Sequence, residues 1–196
     1  MPVISRLSTV NQALLEIGRP KVSNINDSSD SKLMDSKIDI LLPLMLQYED
    51  WDFAIKYVSD NTPITQPFTP DYQNTYQLPY DYGRMFSWGN FNNNFADSSA
   101  QPFLITDGLI STNDMPANYY YIVNDIDVSA VSTMFWRALV LYIASDSALV
   151  LTQNTELTGY LKKKYDDALI DATSRNGMER FVVSKPYNSF NRSDFV

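Results

Sequence analysis

The 196-residue chain contains no cysteine and no histidine. Without cysteine it can form neither a disulfide nor a thiolate metal site, which fits a cytosolic or virion protein better than a small secreted one. Without histidine it cannot build a Ser-His-Asp triad, a Cys-His pair or a histidine-ligated zinc site, and it lacks the usual general base near neutral pH. Carboxylates, tyrosine, lysine, serine and threonine remain for chemistry, so most enzyme classes are excluded.

Basic residues are scarce in the middle of the chain. Residues 60–128 hold eight aspartates and one basic residue, Arg84, which gives this stretch a local net charge of −7. Residues 175–196 reverse the balance, with four basic residues against two acidic ones. A nucleic-acid-binding surface requires clustered lysine and arginine, so the acidic body argues against one.

Long hydrophobic runs are also missing. The most apolar stretch, residues 134–144, contains Arg137 and has about half the length that a helix needs to cross a bilayer. The N-terminus lacks the charged start and apolar run of a signal peptide. These features predict a core helix and no contact with a membrane.

Two segments near the N-terminus have apolar residues at helical spacing. The first covers residues 5–17 and ends where Gly18 and Pro20 follow. The second covers residues 29–50 and starts at a serine or aspartate cap. It contains Pro43, which we expect to bend or divide the helix because proline has no backbone donor.

Two further helices are predicted near the C-terminus. One covers residues 127–153 with a cap near Asp127 or Ser129, and the other runs from a cap at Asn154 or Thr155 to Gly177. The predicted buried stripes are Leu33, Lys37, Ile40, Leu41, Leu44 and Tyr48 on the second helix; Val131, Phe135, Ala138, Tyr142 and Leu149 on the third; and Leu157, Tyr160, Leu161, Tyr165, Ala168 and Ile170 on the fourth.

Strand patterns dominate residues 51–123, separated by clusters of Pro, Asn and Gly. Asp107 and Gly108 predict a tight hairpin, because a two-residue turn requires positive φ angles. The asparagine-rich residues 90–101 are predicted to form an exposed loop. The predicted strands lie in the segments FAIKYV, NTYQLP, RMFSW, FLITDGLIST and NYYYIV.

This order of elements predicts an α+β fold. We expect an antiparallel four-helix bundle with a β-rich insertion between helices 2 and 3 and an extended C-terminal tail. In this interpretation residues 1–50 and 127–177 form the bundle, residues 51–126 form the insertion, and residues 178–196 form the tail.

Few residues suggest catalysis or ligand binding. Glu49 with Asp50 or Asp52 is the best candidate for the carboxylate pair of a glycoside hydrolase, but carboxylates at a helix end are more often solvated surface groups. The oxygen-rich segments DIDVSAVS and NDSSDS lack the spacing of a calcium loop. The lysines at 162–164 spread around a helix and are followed by two aspartates, which favours a solvated face. No metal or cofactor is expected.

Several segments resemble one protein family. The opening VNQALLEIGRPKVSNIND, the joint YEDWDFAIKYV, the segment YQLPYDYGRMFSW and the final pair of long helices resemble the tail tubular protein A family. Its members are the head-to-tail adaptor, or connector, proteins of short-tailed bacteriophages. The resemblance covers residues 7–175 in order, and the family's Y.LP.D..R pattern is matched by Tyr76, Leu78, Pro79, Asp81 and Arg84.

The resemblance implies a structural protein and not an enzyme. Members form a ring, usually a dodecamer, below the portal protein, and this ring extends the DNA channel without binding DNA specifically. They also bind the tail nozzle or tube proteins and offer a docking surface for tail fibres or spikes, with no cofactor. The implied location is the neck or tail of the virion, after synthesis in the host cytoplasm. The alternative is a tail-associated cell-wall glycoside hydrolase that uses carboxylates.

Two groups of residues are candidate structural sites. Trp51, Phe53 and Ile55 are predicted to form the junction between bundle and sheet, with Trp51 as a wedge; a tryptophan in any helix-to-strand core fits the pattern equally. Residues 178–196 combine apolar and basic side chains without a regular period. We expect this tail to bind a neighbouring subunit or the portal through Arg180, Phe181, Val182, Val183, Lys185, Tyr187, Phe190, Arg192 and Phe195.

Overall fold

A computed structural model of the chain describes residues 3–64, 71–89 and 103–183, with residues 178–183 described by their backbone alone. These ranges contain four α-helices and six β-strands. The helices are α1 (Arg6–Glu16), α2 (Ser29–Tyr48), α3 (Thr133–Thr152) and α4 (Thr155–Val183). The strands are β1 (Ile55–Asp60), β2 (Asn74–Gln77), β3 (Tyr82–Trp88), β4 (Phe103–Thr106), β5 (Leu109–Thr112) and β6 (Ala117–Val123).

Side-chain caps set the starts of three helices. The hydroxyl of Ser5 accepts a hydrogen bond from the backbone N–H of Ser8, and Ser28 caps α2 in the same way. At the start of α4, the side-chain oxygen of Asn154 accepts from the backbone N–H of Leu157. Each cap satisfies a donor that has no partner within its helix. The predicted starts of these helices are confirmed.

The start of α3 and the end of α4 differ from the prediction. Asp127 caps a short 3-10 turn, and α3 begins only after Ser132, whose hydroxyl accepts from the N–H of Phe135. α4 continues through Gly177 to Val183, so the prediction that Gly177 ends this helix is wrong. A glycine inside a helix costs about 1 kcal/mol relative to alanine, which good flanking helix formers offset.

The buried face of α2 also differs from the prediction. α2 is one helix that contains Pro43, so the proline does not divide it. Of the predicted stripe only Leu41 is buried, whereas Ile40, Leu44 and Tyr48 are 55%, 56% and 65% exposed. The helix carries apolar residues on two faces, and its own sequence does not indicate which face the other elements cover. The buried side chains are Met34, Ile38, Leu41, Leu42, Met45 and Leu46.

The stripes predicted for α3 and α4 are partly confirmed. Val131, Phe135 and Ala138 are buried, as are Leu161 and Ala168 of α4. The predicted stripe residues that are mostly or half exposed are Leu149, Tyr160 and Ile170.

The strands form two antiparallel sheets of three strands each. The strand order is β1-β6-β3 in the first sheet and β2-β5-β4 in the second. Asp107 and Gly108 join β4 to β5 with φ angles of 51° and 75°, which confirms the predicted hairpin. The strand that was predicted from Trp51 begins only at Ile55, because Asp52–Ala54 form a 3-10 turn.

The fold is α+β, but the prediction of an antiparallel four-helix bundle with a β-rich insertion between helices 2 and 3 is wrong. α1, α2 and α4 all pack on α3, so α3 is a central helix rather than one of four equivalent helices. Trp51, Tyr76 and Ile122 belong to the same hydrophobic core as the helices. The two sheets therefore share the core and are not a separate insertion carried on a bundle.

α3 is long and apolar enough to cross a membrane by the criteria of length and composition. Buried helices of protein cores meet the same criteria, and ten residues of α3 are buried within this fold. These properties match a buried core helix.

Candidate functional site at the helix-to-sheet joint

Residues 49–54 connect α2 to β1 and pack around Trp51, which is 1% exposed. The indole N–H of Trp51 donates to the carbonyl oxygen of Met45 at 2.8 Å. The Trp51 ring meets the ring of Phe135 edge-on, with centroids 4.9 Å apart, and lies 6.1 Å from the ring of Phe53. Phe53 in turn meets Phe135 at 5.0 Å. Three aromatic rings therefore fill the space between α2, α3 and the start of the first sheet.

α4 holds the same joint through the side chain of Asn176. Its amide nitrogen donates to the carbonyl oxygen of Asp50 at 2.7 Å, and its amide oxygen accepts from the backbone N–H of Asp52 at 3.0 Å. The carboxylate of Asp50 also forms an ion pair with Arg84 of β3. Side chains from α4 and β3 thus fix the short segment that follows α2.

A second polar cluster surrounds Asp81, just before β3. The carboxylate of Asp81 is buried and accepts hydrogen bonds from Lys56 Nζ at 2.6 Å and from the Tyr121 hydroxyl at 2.8 Å. Burial by itself raises the pKa of Asp81, but the hydrogen bonds from Lys56 and Tyr121 outweigh it, so the pKa lies below its ordinary value. Asp81 therefore stays ionised and ties the β2–β3 connection to β1 and β6.

The residues that match the family pattern Y.LP.D..R all support this connection. Tyr76 is buried and its hydroxyl donates to the carbonyl oxygen of Asp114 at 3.1 Å. Leu78 is also buried, and the carbonyl oxygen of Pro79 accepts from the N–H of Tyr82 at 3.0 Å. Together with Asp81 and Arg84, they hold strands and helices in place.

The carboxylates that the sequence suggested for catalysis lie at the joint. Glu49 follows the last residue of α2, Asp50 is ion-paired with Arg84, and the backbone of Asp52 is bonded to Asn176. A cavity of about 900 Å³ lies elsewhere, between α1, α2 and the segment from β6 to α3. Its carboxylates are those of Asp39, which the sequence did not single out, and of Asp125 and Asp127 in the oxygen-rich segment DIDVSAVS.

Two of the cavity carboxylates have lowered pKa values. The hydrogen bond from Arg6 lowers the pKa of Asp39, and the hydrogen bonds from Ser129 lower the pKa of Asp127. The general acid of a glycoside hydrolase requires the opposite shift, because it must hold its proton near neutral pH. Asp39 pairs with Arg6 and Asp127 caps a backbone turn, so neither is suited to donating a proton.

The other candidate binding segments have local structural roles. The Asp27 carboxylate of NDSSDS accepts from the N–H of Asn24 at 2.7 Å, and Asp127 of DIDVSAVS caps a 3-10 turn. Within the ranges that the structure describes, no group of three or more Asp and Glu side chains could hold a metal ion. Lys164 pairs with Glu16 at 2.6 Å, whereas the neighbouring lysines are exposed.

The predicted tail interface lies largely outside the described side chains. The backbone of Arg180, Phe181, Val182 and Val183 forms the end of α4. The remaining five residues, Lys185, Tyr187, Phe190, Arg192 and Phe195, lie outside the described residues.

Sequence reasoning missed Asn176 and the exposed row on α2. Asn176 bonds to residues more than 120 positions earlier in the chain, and nothing in its neighbourhood indicates that contact. The exposed row had a signal, since apolar residues occupy two faces of α2, but the sequence assigned burial to the wrong face.

No protein-family model matches this chain, and no curated protein matches it either.

Proposed function

We propose that this protein is a structural head-to-tail adaptor of a bacteriophage that forms a ring between the portal and the tail nozzle or tube. The family resemblance of residues 7–175 supports this function. The structural observation that carries the proposal is the row of exposed apolar side chains on α2: Ile40, Leu44 and Tyr48, called here the outer row. Single exposed apolar residues are normal, whereas a contiguous row indicates a surface that another protein covers.

A ring requires two different surfaces on each subunit, because each subunit contacts one neighbour with one face and the other neighbour with another. The outer row of α2 supplies one candidate. Tyr160 and Ile170 of α4 are mostly exposed although α4 packs on α3. They lie about 15 Å apart along α4, so they offer two separate apolar contact points on a helix other than α2.

Charge supports the same function. The excess of aspartate in residues 60–128 is suited to a channel through which DNA passes, because like charge keeps the phosphates from adhering. The positive residues of 178–196 are suited to the acidic surface of a neighbouring subunit or the portal. The proposed partners are thus a second copy of the chain, the portal, the nozzle or tube protein, and tail fibres or spikes.

Mass measurement of the protein alone and mixed with its portal ring tests the proposal. We expect a monomer alone and a high-mass ring only in the mixture. Leu44→Asp should abolish ring formation, because it places a charge in the middle of the outer row. The matched control is Leu104→Asp on β4, which is partly exposed on the second sheet. A failure of the unaltered protein to assemble on the portal would contradict the adaptor function.

Deletion of residues 180–196 tests the tail separately. The truncated protein should remain folded, because the core residues named above precede residue 180, but it should not bind portal rings. Zymography on cell-wall polymers with Glu49→Gln as the control addresses the hydrolase alternative. Wall-degrading activity that disappears in Glu49→Gln would favour that alternative over an adaptor.

A further inference from the structure

Asn176 and Gly177 form the one Asn-Gly pair of the chain. In such a pair the backbone nitrogen of the glycine can attack Cγ of the asparagine side chain, because glycine has no side chain to obstruct the approach. The N–Cγ bond forms, the Cγ–Nδ2 bond breaks, and ammonia leaves with the proton of the glycine N–H. Water then opens the cyclic imide at either carbonyl and leaves aspartate or isoaspartate. The only co-reactant is water.

The fold engages both reacting groups of this pair. The amide nitrogen of Asn176 donates to the carbonyl oxygen of Asp50 at 2.7 Å, and its amide oxygen accepts from the N–H of Asp52 at 3.0 Å. Gly177 lies within α4, and each N–H inside an α-helix donates to the carbonyl oxygen four residues earlier. Attack on Cγ therefore requires the Asn176 side chain to leave the joint, residues 49–54, and the helix to open at Gly177.

Tight packing does not restrain this part of α4. Asn176 and Gly177 are both partly exposed, so water can reach an imide that forms there. A Cβ atom added at Gly177 would meet no atom within 4 Å apart from the adjacent backbone of the helix. The restraint is therefore the helix together with the contact between Asn176 and the joint. A contact made of two hydrogen bonds opens far more readily than a buried core.

We propose that Asn176 is a site of spontaneous deamidation that the joint suppresses, so that opening of the contact between α4 and the joint leads to an irreversible chemical change. This modification does not depend on the ring function. An aspartate at position 176 can still accept from the N–H of Asp52, but it has no amide donor for the carbonyl oxygen of Asp50. Two acceptors then face each other, which weakens the attachment of α4. An isoaspartate also lengthens the helix backbone by one methylene group.

Mass spectrometry of proteolytic fragments measures the conversion in the full-length chain at mildly alkaline pH. We expect conversion at Asn176 to be at least about tenfold slower in native buffer than in guanidinium chloride, because two hydrogen bonds of ordinary strength hold the unreactive state. Gly177→Ala should slow the conversion in guanidinium chloride, since the added methyl group obstructs the attack. This variant fits the folded helix and identifies the reacting pair.

Two substitutions of Asp52 separate the effect of the joint from general protection by the fold. Asp52→Pro removes the N–H from which Asn176 accepts and places a ring carbon against the Asn176 oxygen. The position suits proline, because Trp51 is extended, with a ψ angle of 122°, and Asp52 begins a 3-10 turn. Asp52→Ala is the matched control, since it removes the same carboxylate and keeps the N–H. We expect conversion about tenfold faster in Asp52→Pro and an unchanged rate in Asp52→Ala.

Three results would overturn the proposal: equal rates in native buffer and in guanidinium chloride, equal rates in the two folded Asp52 variants, or conversion that maps to a residue other than Asn176. Far-ultraviolet circular dichroism and the melting temperature show whether each variant folds. The first comparison uses the unaltered chain, so it tests the proposal even where Asp52→Pro does not fold. All rates are measured on the isolated chain, so failure here is distinct from failure of ring assembly on the portal.

Discussion

Two segments carry the chain between the helices and the sheets, and they differ in packing. Residues 49–54 are enclosed, with Trp51 buried among aromatic rings and Asn176 bonded to the backbone on both sides of it. Residues 124–129 instead line the cavity of about 900 Å³ and expose Asp125 and Asp127. Both segments have the same topological role. Side chains from distant elements, α3, α4 and β3, contact the first segment.

The largest effect on stability is expected at the enclosed segment, residues 49–54, from Phe135→Ala. Phe135 is fully buried and meets Trp51 and Phe53 edge-on. Its removal leaves a cavity between α3 and the joint, which should lower the free energy of unfolding by about 3–5 kcal/mol. Urea unfolding measures the change, and Tyr80→Ala at a highly exposed position is the control. An unchanged unfolding midpoint for Phe135→Ala would mean that this face of α3 is not core.

A smaller loss is expected from Asp81→Asn, and it should depend on pH. At neutral pH the substitution removes the charge that pairs with Lys56, which should cost about 1–3 kcal/mol. The folded-state pKa of Asp81 is lowered, so its contribution is complete above about pH 5 and is lost as the pH falls below about 4. Urea unfolding of both proteins at pH 7 and pH 3 should show a difference at pH 7 that shrinks at pH 3. A difference of equal size at both values would argue against the ionised carboxylate as its cause.

Asn176→Ala tests whether α4 stabilises the segment of residues 49–54. The substitution removes two hydrogen bonds to the backbone of Asp50 and Asp52, which should cost about 1–2 kcal/mol of stability. Arg175→Ala, at the adjacent exposed position, is the matched control. Hydrogen exchange at residues 50–54 should also become faster in Asn176→Ala. Equal stability of Asn176→Ala and Arg175→Ala would show that the Asn176 hydrogen bonds do not stabilise this joint.

The smallest effect on stability is expected at the segment of residues 124–129, from Asp125→Asn. Asp125 is exposed beside the cavity and forms no ion pair among the described residues. Surface substitutions of this type usually change stability by less than about 0.5 kcal/mol. Thermal unfolding of this variant should therefore match the unaltered protein. A loss of stability as large as that of Asn176→Ala would show that the two segments, residues 49–54 and 124–129, contribute equally to stability.

Local signals in the sequence predicted those features of the fold that depend only on residues close together in the chain, such as helix caps and turns. Asn154 caps α4, as predicted, because a side-chain oxygen and a nearby backbone N–H suffice for the interaction. Ser5 and Ser28, which the sequence analysis did not name, cap α1 and α2 by the same interaction. Asp107 and Gly108 form the turn of a hairpin for the same reason, since both tolerate positive φ. The segments predicted as strands overlap the observed strands, whose ends differ by one or a few residues.

Features that depend on distant partners could not be predicted. Ile38 is buried and Ile40 is mostly exposed, although both are isoleucines on the same helix, and only the positions of the elements packed on α2 distinguish them. The alternation after Trp51 indicated a strand, but the aromatic contacts with Phe135 accompany a 3-10 turn there. The candidate site could not be predicted for the same reason, since Asn176 bonds to Asp50 and Asp52 only because the fold brings α4 against the joint.

The sequence by itself determined the class of elements, their order and the chemistry that the chain lacks, because composition, caps and turns act over a few residues. The tertiary structure decided that α3 is central, that the strands form two sheets sharing one core, and that Ile40, Leu44 and Tyr48 face outward. Burial is a property of pairs of elements, and an apolar face becomes core or surface only when another element covers it or leaves it exposed.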